Sequence, residues 1–594
     1  MSVVPFRLDD LGEATFKASY AYNEDETWDM AARRVSDHVA AAEDSDVREK
    51  WQRRFYGEIA SNRFMPGGRI WYGSGRPKAQ LLNCFVIPLS DSREGWGDYL
   101  RESLIISGTG GGVGANGSAV RPSGYEVKGT GGYATGPVSV FRMDNGIGNE
   151  LVAGGNRRMA KMWCLNITHP DIINFLDCKL EDGNLSNGNI SVVMNIDPEE
   201  FAELVRNNGE IQLEWGGRKT GKTVNARKLW NRIVENAWNN GEPGVLNGYM
   251  ANQMNNIFYH KNLISTNPCG EIWLEPYGSC DLGHLVLPRF VQDGKVQWEQ
   301  LEETIRVAVR FLDNVLTVNQ YPLDKIKENS EDVRRLGMGV MGLHSMLLKL
   351  GIKYSSDEAL DFCDKLGAFI KNTAYDTSIS LAIEKGPFPA FKPEFCESGF
   401  MKTMKPAIRR KVLEYGIRNC ALLTIAPTGT TGIVSGVSTG IEPLMAPVYW
   451  RNFKGRGERT LVIEPEYDLY PDIVEGAADV SVSRHFEMQE VWQRHIDNAV
   501  SKTINLPTDY SIGDLGEVWL KHLPTLKGTT FYRWGSRENE PFSPVQIEDA
   551  ESVILSTPKD QISRKERTVE ANGMDCVTGV CEVPSRDEPE KVAA

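Results

Sequence analysis

The sequence predicts an α/β protein. Short apolar runs of β type alternate with helix-period stretches along most of the chain. Glycine clusters punctuate those runs, and no internal repeat interrupts the alternation.

Taken in order, residues 1 to about 70 read as mostly helical, with helix formers dense from Trp28 to Ala42. From 71 to 200, glycine clusters at Gly110–Gly112, Gly131–Gly132 and Gly154–Gly155 separate β-type runs such as Cys84–Ile87 and Ile190–Met194. Leu229, Ile233 and Ala237, with Trp230, Val234 and Trp238, form an apolar face at spacing four, and Asn225 is placed to cap that helix. Ile305, Ala308, Leu312 and Val315 form a second face. Met338–Leu350 is apolar nearly all round, which predicts a buried helix. Ala421–Ile425 predicts a strand that ends at Pro427-Thr-Gly-Thr-Thr-Gly432. Beyond about residue 540 the periodicity fades into charged and small residues, which predicts a mobile tail. The expected division is a helical region 1–70, an α/β catalytic domain 71–540 and a tail 541–594.

Bulk properties exclude several classes. The 594 residues carry a net charge of −14, whereas a free-standing nucleic-acid binder is usually basic. No run of about 18 apolar residues exists, and the N-terminus lacks a basic segment followed by an apolar core. A cytoplasmic protein without membrane partners is expected. The 10 cysteines are dispersed, unlike a secreted disulfide scaffold, and no C-x-x-C pair suggests zinc. No histidine lies three residues after a glutamate, so the Glu-x-x-His pairs of a di-iron bundle are absent and no directly ligated metal is expected.

Two nucleotide motifs occur in unsuitable contexts. Gly216 to Thr223 fits the P-loop pattern, yet the next helix begins at the Asn225 cap and Ile211–Trp215 is interrupted by Gln212 and Glu214. A basic hairpin turn is the better reading; a P-loop NTPase centred on Lys222 is the remote alternative. Gly112-Val-Gly-Ala-Asn-Gly117 fits the dinucleotide fingerprint, but helix spacing precedes it and no acidic residue lies about 20 positions on. A glycine loop approaching a phosphate through its backbone stays open.

The sharpest local feature is Asn267-Pro-Cys269-Gly-Glu271. Pro268 and Gly270 imply a tight loop. In an extended loop, residues two apart point the same way, so an amide, a thiol and a carboxylate could converge on one small substrate. A buried inert cysteine would be the ordinary alternative.

This segment resembles the finger loop of ribonucleotide reductase catalytic chains. The resemblance extends to Leu82-Asn-Cys84-Phe-Val, Arg157-Arg-Met-Ala, His169-Pro-Asp-Ile172 and Asn187-Gly-Asn-Ile-Ser-Val192. It continues through Gly241-Glu-Pro-Gly244, Gly337-Met-Gly-Val-Met-Gly-Leu343, Ala426-Pro-Thr-Gly-Thr-Thr431 and Gly440-Ile-Glu-Pro443, in the family's order from about residue 65 to 540.

The resemblance implies a ten-stranded α/β barrel with a central finger loop. It makes Cys269 the thiyl radical, Glu271 the general base and Asn267 a partner of the sugar hydroxyls. It makes Cys84 and Cys280 the pair that delivers two electrons. Cys576 and Cys581 would re-reduce that pair and be reduced in turn by a thioredoxin-like protein. Thr428, Gly429, Thr430 and Thr431 match the substrate phosphate loop, and Asp91 and Arg121 match positions that hold a dNTP specificity effector. The implied substrate is a ribonucleoside di- or triphosphate, and the chain a monomer or homodimer. Lys527-Gly-Thr-Thr-Phe531-Tyr532-Arg533 resembles the adenosylcobalamin-dependent class, because Phe531 breaks the tyrosine pair that relays a radical in the metal-dependent class. That second class, with a radical-generating partner subunit, is the alternative.

Overall fold

The computed structural model describes residues 4–150, 159–181, 185–452, 459–536 and 542–564. Four helices open the chain: Asp10–Ser19, Trp28–Ala40, Arg48–Ala60 and Gly68–Gly73. The first two begin where side chains cap them, Asp9 accepting from Gly12 N and Thr27 from Met30 N. Phe16, Trp28 and Trp71 form their aromatic core. Phe55 packs edge-to-face on Phe311 of the long helix Trp298–Val318, and the buried Arg310–Glu43 pair ties the same two regions together.

The barrel consists of two parallel halves. The first runs through Cys84–Val86, Gly112–Asn116, Lys161–Asn166, Gly188–Val193 and Gly244–Leu246, each parallel to the next. The second contains Ser279–Val286 and Leu336–Met341, a parallel pair, together with Thr503–Leu506 and Gly528–Arg533, also a parallel pair. Residues 421–425 lie between those pairs. Leu423 bridges Met338 and Ile425 bridges Val500, both in parallel. Antiparallel contacts join the halves at both seams, Cys280 opposite Cys84 and Thr529 opposite Val245. Ten extended segments therefore follow one another around a ring. The crossover helices cover the outside; Leu312, for example, stands against the outward face of Gly283.

Three expectations need correction. Met338–Leu350 is not one helix: Leu336–Met341 is a strand buried on both faces, Gly342 adopts a left-handed conformation, and the helix is only Leu343–Leu350. A continuous apolar run does not distinguish a central strand from a buried helix. Residues 421–425 are extended as expected, but their ladder is made of single bridges, not a full strand. The segment after 540 does not begin as a tail. Phe542–Pro544 and Ile562–Arg564 flank a small sheet with Val448–Asn452 and Arg459–Ile463, and the helix Ile547–Ser556 packs beside it. Its apolar residues are too sparse to signal that packing. Cys576, Cys581, Arg157 and the rest of the expected tail lie outside the described residues.

The expected helix faces at 229–238 and 305–315 are present, and Asn225 caps the first by accepting from Lys228 N. Among the described residues, no helix is long and apolar enough to cross a membrane, and no cluster of His, Cys, Asp and Glu could hold a metal ion.

Candidate active site

A hairpin formed by Ser265–Thr266 and Trp273–Leu274 carries residues 267–272 across the ring. On one side it lies against the first parallel half. A Cβ on Gly114 would overlap the Thr266 carbonyl oxygen, and one on Gly112 would stand 2.9 Å from Pro268. Asn116 Nδ2 donates to Ile264 O at 2.9 Å, and Asn189 Nδ2 donates to Pro268 O at 3.0 Å. On the other side, Thr424 Oγ1 and Ala499 N both donate to Glu271 O, at 2.7 and 2.9 Å. Trp273 Nε1 donates to Lys527 O. The loop is thus fixed by both halves of the barrel.

These contacts explain the false dinucleotide fingerprint. Gly112–Asn116 is a strand whose amides serve the sheet ladder, so it cannot cradle a phosphate as a loop. Its glycines let another backbone approach closely. The false P-loop is a hairpin, as expected: Gly216 and Gly217 turn the chain between Glu210–Trp215 and Arg218–Asn225, and Lys222 is exposed.

The finger tip is a β-turn, not the extended loop the spacing suggested. Gly270 N donates to Asn267 O at 3.0 Å, with Pro268 at the second position and Gly270 at φ +80°. Asn267 and Glu271 converge because the turn folds back, not because alternate residues share a face. Asn267 Oδ1 accepts from Ile272 N at 3.1 Å, and its side-chain amide favours the ionised form of the Glu271 carboxyl. Cys269 stands half-buried at the tip.

Glu271 is 1% exposed, and among the described residues its Oε2 has no hydrogen-bond partner. Burial raises this carboxyl to about 7. Its Oε1 accepts a long bond from Cys84 Sγ at 3.8 Å. Cys84 and Cys280 face each other across an antiparallel pair. Directly opposed residues have Cα atoms about 4.5–5.5 Å apart, within the range a disulfide requires. Both are thiols here. Burial pushes the Cys84 thiol well above its usual range, and the Glu271 charge adds to the effect. Gly337 makes room for Cys280, since a Cβ there would lie 3.1 Å from its sulfur. Ile272, Leu274 and Ala426 pack with both cysteines in one apolar cluster.

Ala426 leads directly into the expected phosphate loop. Thr428 adopts a left-handed backbone at φ 51°, and the helix Gly429–Ser435 follows. Thr428 Oγ1 accepts from Gly440 N at 2.7 Å, which pins the loop to the Gly440-Ile-Glu-Pro443 segment. A Cβ on Gly429 would meet nothing within 4 Å, and Thr431 is buried. The expected effector residues are brought together as an ion pair, Arg121 Nε to Asp91 Oδ2 at 2.9 Å.

Sequence reasoning did not single out Thr424, and it assigned neither Asn189 nor the Gly112/Gly114 pair a role in holding the finger loop. The glycines carried a signal, a dinucleotide-like pattern set aside for its context with only a phosphate-approaching loop kept open. Thr424 lay inside an apolar run with nothing to mark it.

A ten-stranded α/β barrel threaded by a thiol-bearing finger is the class that this fold and site define. Comparison with known proteins agrees. A family model described as the ribonucleotide reductase barrel domain matches residues 82–532, and one described as the all-alpha domain of the same family matches residues 6–79. A vitamin B12-dependent ribonucleoside-diphosphate reductase of Mycobacterium tuberculosis is 34% identical over 545 residues, covering 85% of this chain and 75% of the relative. One of Thermoplasma acidophilum is 34% identical over 543 residues, covering 86% and 67%. A ribonucleoside-diphosphate reductase subunit alpha of Chlamydia muridarum is 27% identical over 452 residues, covering 66% and 43%. The chain belongs to the ribonucleotide reductase family.

Proposed function

We propose that this chain is an adenosylcobalamin-dependent ribonucleotide reductase that removes the 2′-hydroxyl of ribonucleoside diphosphates by way of a thiyl radical on Cys269. The observation that carries the reading is the convergence of Cys269's loop, the buried Glu271 carboxyl and the facing Cys84/Cys280 thiols inside one barrel. The names of the two 34% identical relatives support both the diphosphate substrate and the cofactor.

The residues beside Cys269 leave room for a cofactor to approach the tip. A Cβ on Gly270 would meet only Leu246 Cδ2, at 3.9 Å, so open space adjoins the tip. Leu246, Gly270 and Gly528 border that space and would lie against the group. When bound, adenosylcobalamin supplies the one-electron oxidation that turns a thiol into a thiyl radical. Phe531 supports this source over a relay from a partner subunit. It packs on Trp519 at 4.4 Å, and a phenyl ring is not easily oxidised.

Cys269 then abstracts the 3′-hydrogen of the ribose. Glu271 accepts the 3′-hydroxyl proton, a role suited to a carboxyl poised near neutrality. Cys84, held as a thiol, protonates the departing 2′-hydroxyl, which leaves as water. Cys84 and Cys280 together give two electrons and two protons and become a disulfide, and Cys269 returns its hydrogen to the 3′ carbon of the product, which regenerates the thiyl radical. Asn267 orients Glu271 and the sugar. Thr428 to Thr431 hold the phosphates. Cys576 and Cys581 exchange with the disulfide and pass the electrons from a thioredoxin-like reductant. Asp91 and Arg121 open their ion pair to receive a dNTP effector. The chain works as a monomer or homodimer in the cytoplasm.

The test is reduction of a ribonucleoside diphosphate by purified chain and dithiothreitol under anaerobic conditions. Deoxynucleotide formation is expected only with adenosylcobalamin added and without any second protein. A strict requirement for a second protein would establish the metal-dependent alternative. A pH profile gives a further check. kcat/KM is expected to fall about tenfold per pH unit below about 7, because only ionised Glu271 accepts the proton. In Glu271→Gln that limb disappears and the rate drops by about 100-fold or more.

A further inference from the structure

We infer that His284 is a substrate-contacting residue of this barrel, hydrogen-bonding the stretch of the nucleotide between ribose and 5′-phosphate. The inference rests on the ribonucleotide-binding reading above. His284 lies on Ser279–Val286, the strand that carries Cys280. Residues four apart on a strand share a face. Gly283, between them, faces outward toward Phe64 and Leu312, whereas Cys280 and Leu282 pack inward with Cys84 and the finger loop.

Register places His284 along the length of the site. The strand runs parallel to Leu336–Met341, with His284 paired to Gly339. A Cβ on Gly339 would lie 3.5 Å from His284 Nδ1 and would overlap the Thr424 carbonyl oxygen. The ring therefore rests over a glycine, level with Thr424, whose hydroxyl holds Glu271. Cys280 is four residues behind it, about 13 Å at strand rise. The phosphate loop begins three residues beyond Thr424, about 10 Å ahead. Along the strand direction, that position lies between the level of the two thiols and the start of the phosphate loop.

The ring has something to give. His284 is 2% exposed, and among the described residues its buried Nδ1 has no hydrogen-bond partner. A buried polar atom left unpaired is costly, so a ligand or water is expected to complete it. Burial lowers its basicity to about 3, so the imidazole stays neutral and keeps one donor and one acceptor.

The experiment compares wild type, His284→Leu and His284→Gln, using CDP and equilibrium dialysis as well as turnover. His284→Leu is expected to weaken CDP binding and raise KM about tenfold, the loss of one buried hydrogen bond. kcat should change less, and His284→Gln should recover binding to within about threefold. Wild-type CDP affinity in both variants would overturn the inference. Should His284→Leu fail to fold, the His284 imidazole 15N signals in labelled wild type, assigned by their loss in His284→Gln, replace it. A shift on adding CDP supports the contact, and an unchanged signal overturns it. Binding and the 15N shift read the contact even if the chain reduces nothing, so a failure of the proposed activity is separate from a failure of this inference.

Discussion

Replacing Cys269 by serine is expected to abolish deoxynucleotide formation, to below about 1 part in 10⁴ of wild type, while leaving nucleotide binding and thermal stability unchanged. An alkoxyl radical on serine is not accessible to an oxidant that suffices for a thiol, so no residual pathway remains. The loss exceeds the 10²–10⁴-fold contribution typical of a proton-transfer group. Stability is preserved because the loop is held elsewhere. The bonds from Thr424 and Ala499 to Glu271 O, from Asn189 to Pro268 O and within the 267–270 turn do not involve the sulfur. A variant that kept measurable turnover would remove Cys269 from the chemistry.

The second large effect concerns the facing pair. Cys84→Ser or Cys280→Ser is expected to stop multiple turnover with any dithiol. In a Cys576→Ser/Cys581→Ser variant, whose tail cannot re-reduce the pair, one turnover without reductant should leave these two sulfurs resistant to alkylation, and dithiothreitol should restore both. Mass mapping of the alkylated peptides reads this directly. The pairing geometry makes the expectation specific. Residues opposed across an antiparallel ladder can close a disulfide without moving backbone, whereas Cys164, whose sulfur meets Ser265 Oγ at 3.4 Å, has no such partner across its ladder. Full alkylation of Cys84 and Cys280 after turnover would contradict the assignment.

Much of this site was legible as motif. Asn267 to Glu271, Cys84 and Cys280 could be placed by resemblance, and the amphipathic helices by spacing. The false P-loop could be dismissed because Asn225 marked where the helix begins. What was not legible depends on contacts distant in sequence. Gly114 reads as a loop glycine until Thr266, 152 positions later, is seen to press against it. The strand at Leu336–Met341 reads as helix because burial on both faces erases the alternation that marks a strand. The turn at Asn267–Gly270 replaces the extended loop inferred from spacing, and reaches the same convergence by a different geometry. His284 gave no signal at all, because a lone histidine in an apolar run is ordinary until its unpaired nitrogen is seen.

The central claim is that the Cys269 sulfur carries the unpaired electron. The direct measurement is electron paramagnetic resonance on the full chain, frozen soon after mixing with adenosylcobalamin and CDP, with protein made from ordinary and from β-deuterated cysteine. Hydrogens on the carbon next to a thiyl sulfur split its signal, so the account predicts a spectrum that narrows on deuteration and is missing in Cys269→Ser. A radical signal that deuterated cysteine leaves unchanged, or that survives in Cys269→Ser, would contradict it.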